Sequence, residues 1–250
     1  MTFDSLPPAL LEELRRLSTC VADSAIETFE LRLPNTGFAD SRVRCIFPDL
    51  PTIVGYAATA RIRSATPPIE GGTYYCRTDW WQEILAVPAP RIVVMEDIDR
   101  PVGLGAFVGE VNANILKALG CAGLVTNGAV RDLPEVHAIP FPVFAGNISV
   151  SHGYAHVSGF GETVEVGGLK ISPGDVLLAD VHGVVSIPLE IAARIPQVAQ
   201  QIMERREEVT GLCRSGHFTL EKLSEVSQGH ELIRHKGHVM PKLSSERGGS

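Results

Sequence analysis

No two of the five cysteines, Cys20, Cys45, Cys76, Cys121 and Cys213, lie close enough to make a C-x-x-C pair. An odd, scattered set argues against a disulfide scaffold and against structural zinc. Basic residues are in deficit: 22 Lys and Arg stand against 29 Asp and Glu, a formal charge of −7. Without a basic stripe to meet phosphates, no nucleic acid is expected as a partner. No apolar run approaches the length that crosses a bilayer, and residues 1–17 carry Asp4, Glu12 and Glu13 with neither a basic start nor an apolar h-region. A cytoplasmic protein with no membrane partner is the expectation. Also missing are a G-x-S-x-G elbow, a P-loop, H-E-x-x-H and H-x-E…P-C-x-x-C. Their absence removes the corresponding serine-nucleophile, phosphate-loop and zinc chemistries.

What is present suits a globular chain of one or two domains: 250 residues, 44% hydrophobic and 20% charged. A chain of this length buries roughly three quarters of its unfolded surface and needs no staple. Leu10, Leu11, Leu14 and Leu17 recur at helical spacing behind Pro7 and Pro8, so residues 1–25 are read as an amino-terminal helical arm. Residues 26–190 are read as an α/β core and 191–250 as a carboxyl-terminal helix and tail. Strand-like runs at 43–47 and 55–62 precede a polar, aromatic stretch over 64–83, expected to be an elaborated loop or lid. Its Tyr74-Tyr75 and Trp80-Trp81 favour burial at a subunit contact.

From Arg91 the pattern sharpens. A short apolar strand over 92–95, a Gly-rich stretch over 99–109, a helix from Glu110 to Leu119 stopped by Gly120, and a strand over 122–126 make a βαβ unit. Asn127-Gly128 is expected to close that strand and deliver Arg131-Asp132 to its carboxyl end, where open α/β sheets bind ligands. Short strands are expected at 141–145, 163–166, 169–171, 176–179 and 184–187. A last amphipathic helix follows at 196–213, with a mobile or docked tail beyond Leu223.

The glycines of Gly103-Leu-Gly105-Ala-Phe-Val-Gly109 miss the dinucleotide fingerprint, the third falling one position late. They feed a helix start, where Gly109 turns the chain and the amides of Val111 and Asn112 can hold a carboxylate or phosphate. Arg131 offers a planar fork for a carboxylate or enolate, and Asp132 offers hard oxygen for Mg²⁺ or Mn²⁺. His152 and His156, four apart across Gly153, do not form a helical zinc pair, and Glu204, Glu207 and Glu208 read as a solvated helix face. Cys121, just past a helix end, is expected in the core.

Gly109-Glu110, Ala122-Gly-Leu-Val-Thr-Asn-Gly-Ala-Val-Arg-Asp132-Leu-Pro-Glu135, Phe141-Pro-Val-Phe144, Gly167-Gly168, Pro173-Gly-Asp175 and Ala179-Asp-Val-His-Gly-Val-Val-Ser-Ile-Pro188 together resemble the RraA-like superfamily. That group contains the metal-dependent 4-hydroxy-4-methyl-2-oxoglutarate aldolases and the regulator of ribonuclease E activity. The likeness is dense over residues 90–190, with echoes at Ala22-Asp-Ser-Ala25 and Arg214-Ser-Gly216. It implies a compact α/β/β sandwich of the swivelling type, built into a homotrimer or hexamer with its site at a subunit interface. The aldolases carry an acidic residue, twenty intervening residues, then Arg-Asp. Glu110 and Arg131-Asp132 keep that spacing, with Glu where the aldolases usually have Asp. By the resemblance, Asp132 binds Mg²⁺ or Mn²⁺ largely through waters, and Arg131 holds the substrate's keto oxygen. Gly109, Val111 and Asn112 hold the carboxylate, and Glu110 moves a proton. Glu207 of a neighbouring subunit joins the metal's water shell, with Glu204 or Glu208 as fallback. The implied function is a lyase that releases pyruvate from a 2-keto acid, with oxaloacetate decarboxylase activity. The quoted motif contains no lysine, so a Schiff base is not expected. The alternative is a non-catalytic protein-binding regulator. Asp132 favours the enzyme, because the characterised regulator lacks an acidic residue after the motif arginine.

Overall fold

The arm is two helices, not one: α1 (Pro8–Arg15) and α2 (Thr19–Glu27). Ser18 makes the break. It is extended, and its hydroxyl accepts the Val21 amide at 3.2 Å, the work of an N-cap. The leucine spacing that suggested one helix survives as burial of Leu10, Leu11, Leu14 and Leu17. The structure is a computed structural model that describes residues 5–68 and 77–234.

Eleven strands follow one another through the described residues: β1 (Arg44–Cys45), β2 (Ile53–Arg63), β3 (Arg91–Asp97), β4 (Ala106–Val108), β5 (Cys121–Val130), β6 (Val143–Ile148), β7 (His156–Phe160), β8 (Val164–Val166), β9 (Leu169–Ile171), β10 (Val176–Asp180) and β11 (Gly183–Ile187). Nine of them form one sheet in the order β1-β6-β5-β3-β2-β10-β11, with β4 on β5 and β7 on the far part of β2. β2, β3, β5 and β6 are mutually parallel neighbours, while β1, β7, β10 and β11 pair antiparallel. The parallel neighbours are joined by α3 (Thr78–Ala86), α4 (Glu110–Ala118) and α5 (Leu133–Ala138). Such crossovers are right-handed, so three consecutive ones place their helices on one face.

β2 is buried from Ile53 to Ala60 because the sheet is covered on both sides. On one side Ala57, Ile92, Val94, Val125 and Phe144 pack with Val164, Val166, Leu169 and Ile171 of the separate β8–β9 hairpin. Alternate residues, Ala58, Val93, Met95 and Leu124, are buried on the other side, as are Trp80, Ile84 and Leu116 of the crossover helices. Helices, large sheet and small sheet make the α/β/β sandwich that the family resemblance implies.

Several local readings are corrected. Residues 64–83 are not all loop, since α3 begins at Thr78; residues 69–76, with Tyr74 and Tyr75, lie outside the described residues. Trp80 is 2% exposed within the chain itself, its ring set edge-on to Phe107 with centroids 5.7 Å apart, so it is core and not a subunit contact. β5 does not stop at Asn127-Gly128 but runs on to Val130. β4 and β6 flank it on both sides, and an irregularity between Thr126 and Ala129 absorbs the two turn-like residues. Beyond Leu223, where a tail was expected, α7 (Leu220–Arg234) forms; residues 235–250 lie outside the described residues. Cys121 is in the core as expected, and burial pushes its thiol up to about 12.

The chain divides into two compact units, Met1–Ala199 and Gln200–Ser250, and α6 (Ile195–Arg214) starts in the first and continues into the second. Among the described residues no helix is long and apolar enough to cross a membrane.

The arm is fastened to the sheet by Asp180, at the end of β10. Its carboxylate accepts the Thr19 amide at 3.0 Å, the Thr19 hydroxyl at 2.6 Å and the His182 amide at 2.9 Å. Burial alone would raise the Asp180 pKa, but these donors outweigh it and hold the carboxyl below its ordinary value. A depressed carboxylate stabilises the fold above its unfolded pKa, and that gain is lost as pH falls through the folded value. Asp180→Asn is therefore expected to cost about 1.5–3 kcal/mol near neutrality. In thermal melts the gap from the parent should close as the pH drops below the ordinary carboxylate range; a constant gap would refute the assignment.

Candidate active site

The carboxyl ends of β4 and β5 lie side by side: the Arg131 amide donates to the Val108 carbonyl at 3.1 Å. Gly109, the residue after β4, is thereby set against Asp132, the second residue after β5. A Cβ on Gly109 would stand 2.3 Å from Asp132 Oδ2 and 2.8 Å from Arg131 Cγ. Gly109 is also the N-cap of α4, extended at φ −134, and has no side chain of its own to cap the helix. The Glu110 amide, first in the helix, donates to Asp132 Oδ2 at 3.1 Å. The amides of Val111 and Asn112 follow it at the positive end of the helix dipole. Val111 is 68% exposed, so this helix start is open. Asn112 turns its side-chain Nδ2 back onto the Phe107 carbonyl at 2.6 Å.

Asp132 is held from two sides. Arg131 Nε donates to Oδ1 at 3.1 Å, opposite the bond from Glu110. Burial works against its charge, but the Glu110 amide and the Arg131 guanidinium outweigh it and keep the carboxyl below its ordinary value. Its backbone is left-handed, at φ 54 and ψ 44, a conformation in which aspartate is among the better tolerated side chains. Asp132 stands at the N-cap of α5 without capping it; the side chain reaches across to the start of α4 instead. α5 is tied down further along, where His137 Nε2 lies 2.7 Å from Asp49 Oδ2.

Gly109, Glu110, Val111, Asn112, Arg131 and Asp132 are thus one cluster, with Glu110 exposed at its edge. Lys117 belongs to the last turn of α4, its ammonium on the Ile139 carbonyl. Glu207 is an exposed residue of α6 in the second unit, beside Thr210, with Glu204 and Glu208 exposed near it.

The sequence profile of the RraA-like family, described as Aldolase/RraA, matches residues 19–186. The chain belongs to this family. An uncharacterized protein of Methanocaldococcus jannaschii is 33% identical over 120 residues, 48% of this chain and 58% of its own. A putative 4-hydroxy-4-methyl-2-oxoglutarate aldolase of Halalkalibacterium halodurans is 33% identical over 84 residues, 33% of this chain and 40% of its own. The chain thus spans about half the length of these curated relatives. The structure of Streptomyces coelicolor RraAS2, described as an unusual member of the RNase ES inhibitor RraA protein family, matches with a TM-score of 0.64 at 22% identity. That match covers 82% of this chain and 98% of RraAS2, and it speaks to the fold alone.

Within this RraA-like chain the described residues hold no group of three or more His, Cys, Asp or Glu placed to bind an ion. Asp132 is the carboxylate that the cluster holds in place, each oxygen taking one donor and keeping lone pairs to spare. Such a donor set fits Mg²⁺, which keeps most of its waters and takes one or two carboxylates. Sequence reading missed Asp97, at the end of β3, and its partner Asn127. The available signal was an acidic residue at the carboxyl end of a parallel strand, just before the glycines.

Proposed function

We propose that this RraA-like chain is a divalent-metal-dependent lyase that cleaves a C–C bond in a 2-keto acid and releases pyruvate. The reading extends to the 4-hydroxy-4-methyl-2-oxoglutarate aldolase reaction and to oxaloacetate decarboxylation. The observation that carries it is the meeting of the open α4 amides with Arg131 and Asp132 around a glycine that leaves the space clear. The likeness to the Halalkalibacterium halodurans protein, named as a putative aldolase, supports it.

In this reading the amides of Val111 and Asn112 bind the carboxylate of the keto acid, and Arg131 donates to its keto oxygen. When the bond between C3 and C4 breaks, its electron pair passes through C2 to that oxygen, and the pyruvate enolate forms. The other fragment leaves as a ketone, its hydroxyl giving up a proton, or as carbon dioxide from oxaloacetate. Arg131 faces the oxygen where charge accumulates, which is where a fixed donor lowers a barrier most. Glu110, on the exposed edge, is the candidate to move the proton that ends at C3. Mg²⁺ or Mn²⁺ would be held by Asp132 through water, with Glu207 of a second copy in a homotrimer or hexamer. That ion supplies further positive charge to the substrate oxygens.

The expected result is metal-dependent pyruvate release from oxaloacetate and from 4-hydroxy-4-methyl-2-oxoglutarate, followed by coupled NADH oxidation. EDTA should bring the rate to background, and added Mg²⁺ or Mn²⁺ should restore it. No release from either compound with either metal overturns the reading and favours a protein-binding regulator.

A further inference from the structure

Asp97 closes β3 and is fully buried at 0% exposure, and the chemistry above does not use it. Its two oxygens accept main-chain amides, Asp99 at 3.0 Å and Gly103 at 2.7 Å. A carboxylate is expensive to bury, so a site that keeps one must use both acceptors. Here they pin the start and middle of the stretch between β3 and β4. Neighbouring groups pin the rest. The Asp99 carboxylate takes the amides of Ser64 and Ala65, and Ser64 Oγ accepts the Gly105 amide at 3.1 Å. The Ser149 hydroxyl donates to the Leu104 carbonyl at 3.0 Å. The stretch held in this way runs directly through β4 into Gly109 and the amides of α4.

The main chain of Asp97 is bound to the other half of the site. Its amide donates to Asn127 Oδ1 at 2.7 Å, and Asn127 Nδ2 donates to its carbonyl at 3.0 Å. One side-chain amide thus replaces a strand partner at the point where β5 is irregular. Asn127 lies on β5 four residues before Arg131. The space is tight: a Cβ on Gly128 would stand 3.1 Å from Asp97 Cβ. Asp97 therefore grips, with its side chain, the segment that ends at the amide cradle and, with its backbone, the strand that ends at Arg131.

We propose that Asp97 and Asn127 are positioning residues that fix the separation between the Gly109–Asn112 cradle and Arg131. The role rests on the proposed function for its ligand, though not for its geometry. Misplacement of reacting groups by about 1 Å costs on the order of 100-fold, so a lost anchor here should be read in affinity and rate. Asn127 has a matching use for both ends of its side chain, which leaves neither Asp nor Leu equivalent to it.

The test is Asp97→Asn, which sets an NH₂ against one of the two amides, compared with Leu14→Ala, a core truncation on α1 chosen as the stability control. Pyruvate binding with Mg²⁺ present is measured by calorimetry, and amide hydrogen exchange is followed over residues 103–112. The expected result for Asp97→Asn is at least about tenfold weaker binding and faster exchange in that segment, with neither change in Leu14→Ala. Unchanged binding and exchange in Asp97→Asn, or equal changes in the control, overturn the proposal. If Asp97→Asn does not fold, Ser64→Ala, which removes the anchor of Gly105, decides by the same two readouts. If the parent protein binds no pyruvate, the functional reading fails separately, and exchange alone judges the positioning role.

Discussion

Arg131→Ala is expected to lower kcat for pyruvate release by about 10²–10³-fold, the loss typical of removing one preorganised donor from a developing oxyanion. KM should move less, because the α4 amides would still hold the carboxylate. Arg131 uses Nε on Asp132, at 3.1 Å, and its side chain remains one-third exposed, leaving guanidinium nitrogens for a ligand. Arg131→Lys should rescue little, since an ammonium cannot hold Asp132 and a keto oxygen with the same planar fork. The fold should scarcely notice. An ion pair this open is worth about 0–1 kcal/mol, so thermal melts should nearly superimpose on the parent. A folded Arg131→Ala protein that kept more than a tenth of the parent kcat would sink the role assigned to this side chain.

The βαβ unit and the pair at the end of β5 could be read in the sequence because they follow from periodicity, whereas the α/β/β layering was implied by the family resemblance. Val111, Ile115, Leu116 and Leu119 repeat at helical spacing, and the helix that they mark, α4, does begin at Glu110. Arg131-Asp132 follows a buried run, and the structure sets it next to Gly109 through the Arg131–Val108 bond. What could not be read depends on partners distant in sequence. Asn127-Gly128 looks like a turn, yet β4 and β6 hold it in the sheet. Asp97 looks like a surface acid until the amide of Gly103, six residues on, is placed against it. Trp80 reads as a subunit contact in the sequence because nothing local announces Phe107 as its neighbour. The break at Ser18 was legible in principle. Serine is among the favoured N-cap residues, but the leucine stripe that runs up to Leu17 masked it.

Gly109→Ala should disturb both halves of the site, and for a reason that separates activity from stability. At φ −134 and ψ −160 the backbone of Gly109 is extended, a conformation alanine adopts freely, so no main-chain strain is introduced. The obstacle is the added methyl, 2.3 Å from Asp132 Oδ2 and 2.8 Å from Arg131 Cγ. The Asp132 carboxylate is the neighbour that must yield. The main chain of Arg131 is fixed by the hydrogen bond from its amide to the Val108 carbonyl, and Asp132 sits in a left-handed backbone that limits its side-chain directions. The carboxylate must swing, and in doing so it gives up the Glu110 amide and Arg131 Nε together. Both the amide cradle and the place for the cation are then disturbed at once, so kcat/KM should fall by at least about 100-fold. Asp132, relieved of its donors, should also titrate closer to an ordinary aspartate. Because the clash involves a partly exposed side chain and no sheet hydrogen bond, the melting temperature should drop by only a few degrees, about the effect of 1 kcal/mol. Gly55→Ala makes the opposite pattern. There the Cβ would meet the Pro90 carbonyl oxygen at 2.6 Å inside the sheet, and the fold itself should weaken. If Gly109→Ala retained full activity, the Asp132 carboxylate would not be needed where the structure places it.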